Sequence, residues 1–141
     1  MIICDTSGLI AAYSAQDPRH AKVARVLSDE RDGLILSPFV LAELDYMVAA
    51  SAGVSAELTV LSDVAAGVYR LAEFDRFDVA QAAAIAERYQ DMRIGLADAS
   101  LVVLAARYRT TRLLTLDERH FRAIRPLTAD AFTILPADDP G

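Results

Sequence analysis

The chain has little means of cross-linking itself. Its single cysteine, Cys4, excludes an intramolecular disulfide, and that usage fits a reducing compartment. Set in an apolar run, Cys4 is most simply a small buried hydrophobe. No apolar run approaches the roughly 18 residues needed to span a bilayer. No basic segment precedes an apolar core at the amino terminus, so neither a signal peptide nor a transit peptide is expected. These absences together predict a soluble cytoplasmic protein. A Gly-x-Ser-x-Gly turn is missing, which removes the common serine-hydrolase arrangement, and so is a glycine-rich phosphate loop. There is no internal repeat, linker or low-complexity tract. Lysine is nearly absent: Lys22 stands alone, and every other basic side chain apart from the two histidines is an arginine.

What remains is a chain of 141 residues, 54% hydrophobic and 24% charged. That is enough for one compact domain over residues 1–141 with a real core, and a second domain is not expected. The formal charge of −6 speaks against a passive nucleic-acid coat, whose affinity comes from basic groups neutralising phosphates. It leaves a nuclease open, because an enzyme whose carboxylates hold cations can be acidic overall and still present a local basic surface. Arg107, Arg109, Arg112, Arg119, Arg122 and Arg125 crowd one stretch near the carboxyl end. Arginine favours bidentate phosphate contacts, although an ordinary solvated face reads the same way.

The chain is organised around its first eight residues. Ile2-Ile3-Cys4 suits a buried strand, and Asp5 then emerges where an open parallel sheet places its ligands, outside the carboxyl ends of its strands. Taken alone, Asp5 or Thr6 is also an ordinary helix cap. Ser7 to Ala15 reads as a short helix. Pro18 opens a second, with Ala21, Ala24, Val26 and Leu27 toward the core and Gly33 as its end. Leu34-Ile35-Leu36 is a strand feeding a helix through Ser37-Pro38, a cap followed by the residue best tolerated in a first turn. That helix runs to about Ala52 and stops at Gly53; another starts at Ser55 with Glu57 and ends near Gly67. Val68 to Phe74 alternates as a strand. Asp78 caps a helix from Val79 to about Met92, Gly95 breaks the pattern, and Ala97 to Ala106 forms an almost wholly apolar helix. Leu113 to Leu116 is a strand ending on Asp117, and Phe132 to Leu135 is the last one. The acidic tail Asp138-Asp139 is expected to fray. Strands separated by helices imply right-handed crossovers and a parallel sheet covered on both faces.

Four carboxylates share one structural logic. Asp5 and Asp117 follow strands, Glu43 lies in the second turn of the helix after Ser37-Pro38, and Asp98 opens the apolar helix. Such a cluster is costly unneutralised, since two like charges about 4 Å apart repel by roughly 4 kcal/mol at an effective dielectric near 20. A divalent cation removes that cost, and magnesium and manganese prefer carboxylate and water oxygens. Each acid also has an ordinary reading as a cap, a turn residue or a solvated side chain. Glu43 sits among apolar neighbours, and Asp45 is the acid assigned to the outside. His20 and His120 read as structural rather than as acid or base.

Ile3-Cys4-Asp5-Thr6-Ser7, Ser37-Pro38-Phe39-Val40-Leu41-Ala42-Glu43-Leu44, Leu96-Ala97-Asp98-Ala99-Ser100-Leu101 and Leu114-Thr115-Leu116-Asp117-Glu118-Arg119-His120-Phe121 together resemble the PIN-domain family, and within it the VapC ribonuclease toxins of bacterial toxin-antitoxin pairs. Any one motif is weak; their order and spacing across the chain are more specific. The resemblance implies a three-layer α/β/α sandwich with a central parallel sheet of four to five strands. It implies a metal site of Asp5, Glu43, Asp98 and Asp117 holding Mg2+ or Mn2+, with the hydroxyls of Thr6 and Thr115 beside it. The implied activity is metal-assisted endonucleolytic hydrolysis of RNA, with Glu43 as ligand or as a base positioning water. The implied partners are the RNA substrate, a VapB-type antitoxin that wraps the toxin, and a second copy of the chain. Val40, Leu44, Met47, Val48, Leu58 and Leu61 are candidates for the dimer face, or else core.

Other classes compete. A phosphoaspartyl phosphatase using Asp5 usually needs a second acid two residues on, where this chain has Ser7. A receiver domain wants a lysine at a late strand end, and Lys22 lies in a helix. A catalytically degenerate PIN-like module kept for binding is the non-enzymatic alternative.

Overall fold

A computed structural model describes all of residues 1–141. Five short strands form one sheet: β1 Ile2–Cys4, β2 Leu34–Leu36, β3 Arg70–Leu71, β4 Arg112–Leu114 and β5 Thr133–Leu135. The spatial order is β3-β2-β1-β4-β5 with every pairing parallel. Ile3 lies opposite Ile35 on one side and Leu113 on the other. Chain order therefore runs outward from β1 through β2 to β3, then returns to the other side for β4 and β5. The switch point lies between β1 and β4, and the crevice there, at the carboxyl ends of the strands, is where open α/β sheets bind ligands.

Seven helices fill the crossovers: α1 Thr6–Tyr13, α2 His20–Asp29, α3 Pro38–Ala52, α4 Val54–Ala65, α5 Arg76–Arg88, α6 Leu96–Arg107 and α7 Glu118–Ala123. Right-handed crossovers that reverse direction at β1 put helices on both faces of the sheet. The central strands are apolar because both faces are covered: Ile2, Ile3, Cys4, Ile35, Leu36, Leu113 and Leu114 are fully buried. Helix α6 carries Ala99 and Leu101 to Ala105 into the same core. At about 25 cal/mol per Å2 of apolar area removed from water, each fully buried Leu or Ile contributes roughly 2 kcal/mol.

Several expectations need correction. Helix α3 spans Pro38–Ala52 with Ser37 as its cap, as the sequence predicts. In α2 it is Val23 and Val26 that are buried, while Ala21 is exposed. Asp75, not Asp78, caps α5: its carboxylate accepts from the amides of Phe77 and Asp78, and Asp78 reaches back to the Asp75 amide. Either aspartate fits the cap signature, and the reciprocal box decides between them. The strand expected from Val68 to Phe74 shrinks to two exposed residues at the sheet edge. Helix α7 was not anticipated. The acidic tail does not fray, because Asp138 accepts from Arg122 at 2.7 and 2.9 Å and from the Ile134 amide at 2.8 Å, and Asp139 accepts from Arg25 at 2.7 Å.

Candidate active site

Asp5 leaves β1 with an extended backbone and caps α1, its Oδ1 accepting from the Thr6 amide at 2.8 Å. Its Oδ2 accepts from the Thr115 hydroxyl at 2.7 Å and the Ser7 hydroxyl at 3.2 Å. Thr115, just past β4, in turn accepts from the Asp117 amide at 3.0 Å, and Ser7 accepts from the Leu116 amide at 2.9 Å. The Asp5 amide donates to the Leu114 carbonyl at 2.9 Å. These bonds stitch the ends of β1 and β4 together at the switch point. Asp117 is the cap of α7, accepting from the His120 amide at 3.1 Å.

The cleft above this junction, about 520 Å3, is lined by Asp5, Thr6, Glu43, Asp98 and Asp117, with Ser7, Asp17 and Arg19 at its polar margin. All six site residues expected from the sequence thus lie in or directly against it: five line the cleft, and Thr115 sits beneath, bonded to Asp5. Glu43 is exposed and Asp45 is the half-buried acid, the reverse of the expected order of burial. Glu43 lines the cleft from α3, with Met47 one turn further on.

The electrostatics are those of acids with no arginine or lysine paired to them. Burial pushes the Asp5 carboxyl up, against the hydrogen bonds from Thr115, Thr6 and Ser7 that favour its charged form. Asp98 is pushed up to about 6, first by burial and then by the charge of Asp5, with His120 pulling the other way. His120 Nδ1 lies 2.8 Å from Asp117 and 3.9 Å from Asp98, without hydrogen-bond geometry to either. The Thr6 hydroxyl is buried and has no partner. No three of these side chains close into a preformed ligand set. The donors nevertheless fit a hard divalent cation: they are carboxylate oxygens, no arginine or lysine is ion-paired with any of the four, and an orphaned hydroxyl stands beside them. Asp5, Asp98, Asp117 and Glu43 are the residues that would hold it.

Two contributors were not recognised in the sequence. Ser7 bridges Asp5 to the loop after β4, and the Asp-x-Ser spacing was its only local signal. His120, read as structural, stands against two of the acids. The arginine-rich stretch does not line the cleft. Arg107 bonds Asp78 and the Glu73 carbonyl, Arg112 bonds Glu30, and Arg122 bonds Glu118 and Asp138.

The parallel α/β fold just described is shared with known proteins. Residues 2–126 match the PIN domain, and the chain belongs to the PIN-domain family. Within that family it stands on the VapC branch. It is 50% identical over 135 residues to Ribonuclease VapC26 of Mycobacterium tuberculosis (strain ATCC 25618 / H37Rv), covering 96% of this chain and all of that one. Among solved structures, the sarcin-ricin-loop-cleaving toxin VapC20 of M. tuberculosis superposes with a TM-score of 0.74 at 20% identity, over 80% of this chain and 87% of that one. VapBC2 of Rickettsia felis, bound to a DNA fragment from its promoter, gives 0.67 at 20% identity over 95% and 98%. At these identities the structural likeness speaks for the fold alone.

Proposed function

We propose that the chain is a metal-dependent endoribonuclease, acting as the toxin of a toxin-antitoxin pair and working as one PIN-like domain over residues 1–141. The observation that carries this reading is the convergence of Asp5, Glu43, Asp98 and Asp117, from separate segments of the chain, on one cleft at the sheet's switch point. The 50% identity to a named ribonuclease supports the substrate class. When bound, magnesium or manganese lowers the pKa of a water and offsets charge building on the phosphate. Asp5, Asp98 and Asp117 would hold the ion, and Glu43, the most exposed of the four acids, would complete the set or orient the attacking water. In the hydrolysis the water oxygen bonds to phosphorus, the P–O bond to the leaving ribose oxygen breaks, and that oxygen takes up a proton. Thr115 and Ser7 keep Asp5 and Asp117 in register.

The test is incubation of total cellular RNA with purified protein and Mg2+ or Mn2+, beside Asp5→Asn, Asp98→Asn and a chelator control. Discrete fragments that vanish in both variants and with chelator are expected, and their ends identify the target. Intact RNA after treatment with folded, metal-binding protein would instead favour the degenerate binding module.

The partner in this reading is a small antitoxin, as in the toxin-antitoxin complexes of R. felis and Klebsiella pneumoniae that share the fold. A homodimer belongs to the same reading, with its face revised by the fold. Val40, Leu44 and Val48 are core, so Met47, Leu58 and Leu61 remain, now joined by Tyr46 (75% exposed) and Val54. Sedimentation showing only monomer at working concentration would remove the dimer.

A further inference from the structure

A second groove of similar size, about 520 Å3, adjoins the acidic cleft and shares Arg19 and Leu116 with it. One wall is basic: Arg19, the residue capping α2, and Lys22 and Arg25 within the helix. Their spacing of three places them side by side on one helical face, over about 9 Å at 1.5 Å per residue. The facing wall is Thr115, Pro136 and Ala137 from the ends of β4 and β5. In a chain of net charge −6, this stripe runs directly into the acid site through the shared Arg19. Of the groove's own acids, Glu118 is engaged by Arg122 outside it at 2.9 Å, and Asp139 by the groove's own Arg25 at 2.7 Å. At the junction Arg19 holds Asp17 at 3.0 Å. Lys22 has no ion-pair partner.

We propose that Arg19, Lys22 and Arg25 form the rail that binds the backbone phosphates of the RNA strand flanking the scissile bond, a reading that rests on the ribonuclease function proposed above. Two of the cations are presently matched to carboxylate oxygens at the rim, the same anionic donor type that a phosphate offers. Exposed pairs of this kind are weak and screened by salt, so exchange of carboxylate for phosphate costs little. Arginine at the junction supplies planar, two-oxygen recognition next to the reacting centre, and the lysine supplies a mobile point charge farther along. The rail is sequence-independent: it positions the strand, and base choice lies elsewhere.

The experiment measures binding of the full-length protein to a short fluorescent single-stranded oligoribonucleotide of mixed sequence, in chelator so that no cleavage occurs, across a salt series. Lys22→Ala, Arg25→Ala and the double variant are compared with the charge-keeping Lys22→Arg and with Arg88→Ala on α5, outside both grooves. Each lost cation is expected to flatten the log Kd against log salt slope by about 0.7 and to weaken binding roughly threefold near 0.1 M salt. Lys22→Arg and Arg88→Ala should behave as the parent. In cleavage, KM should rise with kcat kept. Arg25→Ala also frees Asp139, so Lys22→Ala, which breaks no bond of the fold, is the decisive variant. Parent-like slopes in an active ribonuclease overturn the rail and leave the activity standing. A parent protein that neither cuts nor binds RNA overturns both. Loss of antitoxin capture with RNA binding intact assigns the groove to a protein partner and also overturns the rail.

Discussion

At the scale of single residues, the Thr115 hydroxyl is shared between two acids of the site, donating to Asp5 and accepting from the Asp117 amide. Thr115→Val keeps the shape and removes the hydroxyl, leaving a buried carboxylate and an amide short of partners. The expected cost is about 1–3 kcal/mol, read as a lower melting midpoint, together with weaker Mn2+ binding by calorimetry; Thr115→Ser should restore most of both. Asp98 behaves oppositely, because its charge is unfavourable where it stands. Asp98→Asn is expected to stabilise the metal-free protein by about 1 kcal/mol, roughly 4 °C for a chain of this size, while abolishing cleavage, the usual trade between a strained site and stability. A lower midpoint for Asp98→Asn would show that its carboxylate is already satisfied within the protein. The four acids were legible in the sequence because each sits beside local punctuation: a strand end, a Ser-Pro cap, a glycine break. Ser7 and His120 were not, since their importance lies in contacts with Thr115, Leu116, Asp98 and Asp117 that no local pattern encodes.

Between elements, helix α1 comes close to strand β4 at Gly8. A Cβ added at Gly8 would stand 2.6 Å from the Leu114 Cγ and 3.0 Å from the Leu114 carbonyl oxygen. The backbone oxygen belongs to the strand that accepts the Asp5 amide and cannot give way alone. Gly8→Ala should therefore push α1 off β4, costing about 1–3 kcal/mol by overpacking, and should reduce cleavage more than an equally destabilising change remote from the cleft. Parent-like activity at a lowered midpoint would place the strain elsewhere. A second tie joins α3 to α6, where the buried hydroxyls of Ser37 and Ser100 lie 2.7 Å apart, coupling the helix of Glu43 to the helix of Asp98. Helix ends marked by Ser-Pro and Gly were readable to the residue in α3. Strand β3 was not, because the alternation from Val68 to Phe74 persists beyond the two positions that pair with Ile35 and Leu36. Helix α7, with only six residues, is too short for periodicity to show.

Across the whole molecule the two ends of the sheet have opposite acid chemistry. At the carboxyl end, Asp5, Glu43, Asp98 and Asp117 crowd with no arginine or lysine ion-paired to any of them. At the amino end, Glu30 has a side chain only 2% exposed and meets the Met1 ammonium at 3.2 Å, the Arg112 guanidinium and the Asp32 amide at 2.9 Å. Burial works to raise the Glu30 carboxyl, but these donors outweigh it and hold it below its ordinary 4.5. A depressed carboxyl contributes stability that is complete above its unfolded value and is lost as pH falls through the folded one. Asp138 and Asp139 are lowered in the same direction by Arg122 and Arg25, so the pinned tail shares this limb. The metal-free protein should accordingly lose stability below about pH 4.5. Glu30→Gln should be about 1–2 kcal/mol less stable at pH 7, where Arg112 stays partly hydrated, with a shallower fall in acid. Thermal midpoints between pH 3 and 7 for both proteins decide the matter. Parallel curves would show that Glu30 gains nothing from its charge, and would return the acid limb to the tail alone. On the proposed function Mg2+ binds the acids at the far end of the sheet, and it should then raise both curves at pH 7 by the same amount, because binding to the native state adds to stability independently of a distant pair.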